Sequence, residues 1–339
     1  MMENRLRGLK VAIVGGAGFV GHHLALRLRE SGADPHLVDS LQVNNLGAFS
    51  STVSDPSAAT YATFVHERLN ALQQSAIPLY VADARDYHGL SRILDEIEPN
   101  VLVHLAAVAH ADRSNKDPFS TFDHSLRTLE NSLDIARDRC SQFVYFSSSM
   151  VYGNFDGQTV DESRHCEPLG IYGALKYSGE KIVIAYQQVF NLPYTIIRPS
   201  ALYGERCVSR RVGQVFIENV LAGRSLTVNG DGSDSLDFTY IRDLVDGVIL
   251  SLNNEQAHNQ IFNLTYGEGR TLNEMISILK SEFSDLLVEY KPRDTLMPER
   301  GTLSIEKARS LLGYEPLWSL EKGFRQYLDW YRERPSVSG

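Results

Sequence analysis

Residues 10–30 read KVAIVGGAGFVGHHLALRLRE. Lys10–Val14 is a short apolar run suited to a buried strand, and Phe19–Glu30 carries helical spacing. Between them Gly15, Gly18 and Gly21 follow the spacing G-x-x-G-x-x-G. Glycine has no Cβ to block a pyrophosphate, and the amides that open the helix at Phe19 and Val20 then face the phosphates. Tight turns without a ligand also use glycine, so the strand-loop-helix context decides the reading. Asp39 ends the next strand, 35–39, eighteen residues after Gly21. A carboxylate there accepts both ribose hydroxyls of an adenosine and repels a 2′-phosphate. Its neighbours Ser40, Leu41 and Gln42 include no arginine, so the pattern selects NAD over NADP.

Working outward, strands at 77–81, 101–105, 142–147 and Tyr194–Arg198 alternate with helices at Tyr87–Ile97, 118–138 and 170–191. The strands are apolar on both faces, as in a parallel sheet covered by helices. The expected fold class is α/β, a doubly wound parallel sheet (Rossmann fold), with a smaller, mostly C-terminal substrate-binding lobe. Segment 40–75, rich in Ser, Asn, Ala and Thr, reads as a surface loop with a short helix. Glycines and turns crowd 203–235, and helices follow at 242–253, 271–281, 304–312 and 319–332. This places the NAD-binding part at 1–198 and 237–264, and the substrate lobe at 199–236 and 265–333.

Composition narrows the function classes. With 339 residues, 43% hydrophobic, the chain is long enough to bury its own core. Thirty-three basic against forty-two acidic residues give −9, which disfavours nucleic acid as a partner. No apolar run approaches a membrane span. Cys140, Cys166 and Cys207 form no C-x-x-C pair, so we expect reduced thiols in the cytoplasm. The histidines at 104, 110, 124 and 165 make no metal-ligand pattern, and no metal is expected. His104 reads as a core residue. His110 and Asp112, past the strand end, are candidates for lining a substrate site.

Tyr172 and Lys176 form Y-x-x-x-K on a helix, one turn apart and on one face. An ammonium near a phenol stabilises the phenolate and makes tyrosine a usable general base. The pair alone occurs by chance, but Ser147, Ser148 and Ser149 lie just beyond a strand end, where open α/β sheets place ligands. One of these hydroxyls can bond the reacting oxygen. Asp83, with Ala84, follows the third strand, and its carboxylate either meets the adenine amino group or caps the helix at Tyr87.

With these pieces assembled, the chain resembles the extended short-chain dehydrogenase/reductase superfamily, in its nucleotide-sugar epimerase/dehydratase branch. The matching motifs are GGAGFVG at 15–21, Asp39, DARD at 83–86, HLAA at 104–107, SSSMVYG at 147–153, YGALK at 172–176, RPSALYG at 198–204, DFTYIRDLVDGV at 237–248 and LLGYEP at 311–316. The resemblance implies Tyr172 as base, Lys176 on the nicotinamide ribose and Ser148 as the hydroxyl partner. It implies cofactor contacts from Leu105, Ala106, Ala107 and Val108, and from Pro199 and Ser200. Ser125 stands where relatives have a helix asparagine.

The departures bear on the reaction. Relatives that are 4,6-dehydratases carry Asp-Glu after the catalytic hydroxyl; Ser149 and Met150 stand there. Met150 also replaces the acid/base cysteine of 3,5-epimerising relatives, and Cys207 in the 203–211 loop is a weaker candidate. Ala201 and Leu236 replace an asparagine and an arginine that hold the diphosphate in relatives. Arg206, Arg211 and Arg293 become the expected substrate clamps, with Arg210 and Arg300 behind them, because guanidinium suits bidentate phosphate contacts. Of these, Arg293 in KPRD best matches a phosphate-binding position. The expectation is an NAD-dependent epimerase of a nucleotide sugar, most plainly at C4. A keto-sugar reductase, a 4,6-dehydratase and a non-catalytic NAD scaffold are the alternatives. Resemblance also implies a homodimer through a four-helix bundle built from 118–138 and 170–191.

Overall fold

A computed structural model describes residues 5–42, 46, 58–108, 111–293 and 297–334. Seven strands form one parallel sheet: β1 (Lys10–Val14), β2 (Asp34–Asp39), β3 (Leu79–Val81), β4 (Val101–His104), β5 (Gln142–Phe146), β6 (Tyr194–Arg198) and, later in the chain, β9 (Gln260–Asn263). β7 (Leu226–Asn229) and β8 (Ser235–Asp237) lie between the last two in sequence and outside this sheet. The order β3-β2-β1-β4-β5-β6-β9 reverses between β1 and β4. Ligands of doubly wound sheets sit at such a reversal, beyond the carboxyl ends of the strands. All residues of β4, β5 and β6 are buried, because helices cover both faces.

On one face, α1 (Phe19–Glu30) packs Leu24 and Leu28 into a cluster with Leu244 and Val248, which belong to the late helix Ile241–Leu252. α2 is Ala58–Gln74 and α3 is Tyr87–Ile97. On the other face, Leu90 and Leu94 of α3 meet Leu129, Leu133 and Val183. Each such side chain contributes about 1.5–3 kcal/mol by leaving water. A third cluster gathers Phe64, Phe216, Tyr240, Phe324, Tyr327, Trp330 and Tyr331. It joins α2 to the C-terminal helices.

Several elements differ from expectation. The segment 118–138 is not one α-helix. After α4 (Ala111–Lys116) come α5 (Pro118–Phe122), a π-helical turn (Asp123–Arg127) and α6 (Thr128–Ala136). The hydroxyls of Thr128 and Ser132 donate to the carbonyls of His124 and Thr128 at 2.7 Å each, the back-bonding that bends a helix. Within 40–75 the helix is long, since α2 spans seventeen residues and buries Tyr61, Phe64, Val65, Arg68 and Leu72. Positions 43–45 and 47–57 of that segment lie outside the described residues.

After α7 (Gly170–Phe190), the turn-rich stretch 203–235 contains α8 (Val212–Leu221) as well as β7. Phe216, Ile217 and Val220 hold α8 in the aromatic cluster. Then follow α9 (Ile241–Leu252), β10 (Gly269–Thr271), α10 (Leu272–Lys280), β11 (Val288–Lys291), α11 (Glu306–Leu312) and α12 (Leu320–Arg332). β10 pairs with β8 and β11 with β7, two small ribbons that wall the open side of the large sheet's ligand edge. Among the described residues no helix is long and apolar enough to cross a membrane.

Candidate active site

The turn from β1 into α1 is built by close approach. Gly15 has φ +85°, and a Cβ on it would stand 2.7 Å from the Ala106 amide nitrogen. A Cβ on Gly21 would stand 2.4 Å from the Gly16 carbonyl oxygen. Gly18 precedes α1 with no side-chain cap, so no side chain competes for the amides that open the helix at Phe19 and Val20. That leaves them to an anion. Asp39 is 9% exposed at the end of β2. Its carboxylate accepts from the Ala17 amide at 3.0 Å and the Leu41 amide at 2.8 Å. Burial raises its pKa, and those two amides oppose the rise. Uncapped amides beside a buried carboxylate fit the pyrophosphate and adenosine ribose of NAD.

Asp83 keeps its carboxylate at the surface, held by the Arg85 guanidinium, whose Nη2 lies 2.6 Å away. It does not cap α3. Asp86 does, accepting from the Gly89 amide at 3.1 Å. Ala84 is buried beside it, with its carbonyl accepting from Asn131 at 2.9 Å. Ser125 is buried on the π-helical turn. His104 is a core residue, its Nδ1 3.1 Å from the Ser132 hydroxyl. His110 lies outside the described residues, and of Asp112 only the helical backbone is described.

A cavity of ≈ 590 Å³ opens past the ends of β1, β4, β5 and β6. Val20, Leu105, Ala107, Pro199 and Ser200 line one end, and Ser148, Ser149, Tyr172 and Lys176 stand at its floor. The Ser148 oxygen accepts from the Met150 amide at 3.2 Å, and its hydroxyl is near enough to the Tyr172 phenol to lower that group's pKa. Lys176 donates to the Phe146 carbonyl at 2.7 Å and lies 5.2 Å from the centre of the Tyr145 ring. Burial lowers its pKa to about 8, with Glu180 pulling upward. Ser200 has a buried hydroxyl with no hydrogen-bond partner at the cofactor end. A shallower hollow of ≈ 510 Å³ around Glu162 and Lys307 carries none of these groups.

Lys176 lies one helical turn beyond Tyr172 on the same helix. Burial raises the phenol's pKa, and the opposing groups are Arg211, the Ser148 hydrogen bond and Arg300. Lys176 gives one of its three ammonium donors to the Phe146 carbonyl. The clamps sort differently from expectation. Arg211 and Arg293 line the cavity, as do Arg210 and Arg300, which the sequence placed in reserve. Arg206 does not line it. Its backbone sits at φ +60°, and its guanidinium turns to Glu67 of α2 at 3.4 Å. Cys207 is 1% exposed in the apolar cluster under α1 and does not reach the cavity wall.

Sequence reasoning missed Arg68 on α2. Buried, it donates to the Ala17 carbonyl at 3.3 Å and to the Arg206 carbonyl, tying the glycine loop to the loop after β6. It also missed Phe216, Thr227, Asn229, Leu272 and Met275, which wall the far end of the cavity. No local signal marks these, because their segments meet only in the folded chain.

Residues 11–265 match the model of the NAD dependent epimerase/dehydratase family. A putative UDP-glucose 4-epimerase of Methanocaldococcus jannaschii is 29% identical over 329 residues, covering 95% of this chain and 98% of the relative. The structure of a UDP-glucose 4-epimerase from Thermotoga maritima with UDP-glucose superposes with TM-score 0.83 at 26% identity, covering 96% and 99% of the two chains. A UDP-glucuronic acid 4-epimerase from Bacillus cereus, in complex with UDP-glucuronic acid and NAD, superposes with TM-score 0.84 at 26% identity and the same coverage.

Proposed function

The chain belongs to the NAD dependent epimerase/dehydratase family, and from that premise we propose that it inverts C4 of a nucleotide-activated sugar through a transient 4-keto sugar. One observation carries the reading: Ser148, Tyr172 and Lys176 share the floor of a cavity that runs from the NAD loop to an arginine-lined chamber. When bound, NAD supplies the hydride acceptor and donor for C4. Gly15, Gly18, Gly21 and the amides of Phe19 and Val20 hold its pyrophosphate, and Asp39 its adenosine ribose. Asp83, Ala84, Leu105, Ala106, Ala107, Ser125, Pro199 and Ser200 complete that half of the site.

Tyr172 takes the proton of the C4 hydroxyl as the bond from C4 to hydrogen breaks, and returns it after the keto sugar has turned its other face. Ser148 donates to the reacting oxygen, its own position set by the Met150 amide. Lys176 would hold the nicotinamide ribose of the bound NAD. Ser149, Arg211 and Arg293 orient the substrate from the lobe formed by 199–236 and 265–333. Ser149 and Met150 supply no acid or base for loss of water, which supports epimerisation over 4,6-dehydration. The Ser149 amide is moreover engaged by the Pro199 carbonyl at 2.9 Å.

We place the working protein as a homodimer joined through α5, α6 and α7. Phe119 and Phe122 on α5 are 86% and 55% exposed, and Val189 and Phe190 on α7 are 68% and 42% exposed. A second copy would cover them. The three unpaired cysteines fit a reducing compartment, here the cytoplasm.

The test is conversion of UDP-hexoses to their C4 epimers, followed by NMR, with NAD present only in catalytic amount. Tyr172→Phe should retain NAD and lose turnover by at least about a hundredfold, the size of a general acid–base contribution. Stoichiometric formation of NADH would instead identify a net oxidoreductase.

A further inference from the structure

Arg211 and Arg300 approach the cavity from segments far apart in the chain, one at the start of α8 and one after β11. Burial first and Arg211 second lower the pKa of Arg300 to about 10, with Asp234 and Tyr172 opposing the fall. Both are near enough to Tyr172 to stabilise its phenolate. The Nε of each is buried with no hydrogen-bond partner. Among the described residues neither guanidinium has a carboxylate in ion-pair contact, whereas Arg293, in the same cavity, is paired with Asp234 at 3.1 Å. Arg293 is not among the groups that act on Tyr172. Of the four arginines that line the cavity, Arg210, Arg211, Arg293 and Arg300, Arg293 is paired with Asp234, while Arg211 and Arg300, the two that act on Tyr172, have no carboxylate in ion-pair contact among the described residues.

Two like charges that are half-buried near each other in a cavity wall repel, and an anion between them relieves the repulsion. A planar guanidinium fork matches a carboxylate bidentately. In a hexose the C5 substituent is attached next to C4, whose hydroxyl meets Tyr172, while the diphosphate leaves from C1 across the ring. We propose that Arg211 and Arg300 form a seat for a carboxylate carried on the sugar ring, so that the preferred substrate is a nucleoside diphosphate hexuronic acid and not a neutral hexose. This rests on the C4 epimerase reading above and names its substrate class. A neutral hydroxymethyl group at C5 leaves both cations unpaired, so the seat also selects by penalising the wrong sugar.

The experiment uses the NAD-loaded protein and has two arms. In the first, kcat/KM is measured for UDP-glucuronate and UDP-glucose. A preference for the uronate of at least about thirtyfold is expected, the lower end of what an unpaired buried charge costs. Equal or better turnover of UDP-glucose would overturn the proposal and leave the epimerase reading intact. In the second arm, calorimetry gives the affinities of wild type, Arg300→Met and Arg211→Met for UDP-glucuronate and for UDP. Each variant should lose at least about thirtyfold for UDP-glucuronate and less than about threefold for UDP. Equal losses for both ligands would assign the pair to the diphosphate and overturn the seat. Turnover of neither sugar would count against the epimerase reading, and the binding arm would then decide the seat alone. Folding is not expected to suffer, since each substitution removes an uncompensated charge.

Discussion

Arg198→Met should lower the melting temperature sharply and Glu180→Leu on top of it should restore most of the loss. Arg198 ends β6 and Glu180 lies on α7, with side chains 3% and 1% exposed. The contact is bidentate, Nε to Oε1 at 2.9 Å and Nη2 to Oε2 at 2.6 Å. The Ser147 hydroxyl, just past β5, donates to the same carboxylate. The guanidinium also lies 4.7 Å from the centre of the Tyr152 ring. One residue pair therefore ties β6 to the two elements that carry Ser148, Tyr172 and Lys176, the end of β5 and α7. Methionine keeps the length of the arginine stem but leaves the Glu180 charge buried without its ion-pair partner, at a cost of about 3–5 kcal/mol. Unfolding entropy near 2.1 cal/mol/K per residue amounts to about 0.7 kcal/mol/K for 339 residues. The melting temperature should then fall by about 4–7 °C. Replacing both partners by apolar groups removes the stranded charge, and such replacements are often neutral or better. Differential scanning calorimetry at one fixed NAD concentration measures all three proteins, since ligand by itself shifts the transition. A fall of less than about 1 °C in the single variant, or a double variant that falls as far as the single, would refute the reasoning.

Asp39→Ala removes the acceptor for the adenosine ribose and the charge facing a 2′-phosphate, so NAD affinity should drop about tenfold or more and the gap to NADP should narrow; an unchanged NAD/NADP ratio in binding titrations would mean that another group reads the ribose. Lys176 has its pKa lowered from 10.5 to about 8, so its ammonium is complete below that pH and is lost as pH rises through it. Turnover should decline above about pH 8, and a level profile to about pH 10 would contradict the role given to the ammonium. The stability contribution runs the other way, rising across the same interval because the unfolded chain still binds the proton there. Light scattering should find a dimer at micromolar concentration, and Phe119→Glu combined with Val189→Glu should shift it to monomer; a wild-type monomer would leave those exposed side chains without a partner.

The cofactor half of the site could be read along the chain because its determinants are local. A strand, a glycine turn and a helix start occupy residues 10–30, and both the helical spacing and the need for missing Cβ atoms are visible without knowing what packs above. Tyr172 and Lys176 were legible for the same reason, since one helical turn puts them on one face. What that spacing leaves open is the partner of each group. Lys176 reaches the Phe146 carbonyl of β5, and the cations acting on Tyr172 come from Arg211 and Arg300.

Sequence proximity to the Tyr203 loop favoured Arg206, but a left-handed backbone and the Glu67 carboxylate of α2 take it elsewhere. Likewise α8 hides in a stretch of glycines and polar residues because what holds it is the aromatic cluster contributed by α2 and α12. The sequence by itself therefore determined six of the seven strands of the sheet, the glycine turn after β1 and the shared face of Tyr172 and Lys176, whose signals are periodicity and short-range geometry. The tertiary structure alone decided the charge of the substrate chamber. That charge depends on which side chains from distant segments meet, which of them find a counter-ion, and which are left facing the cavity.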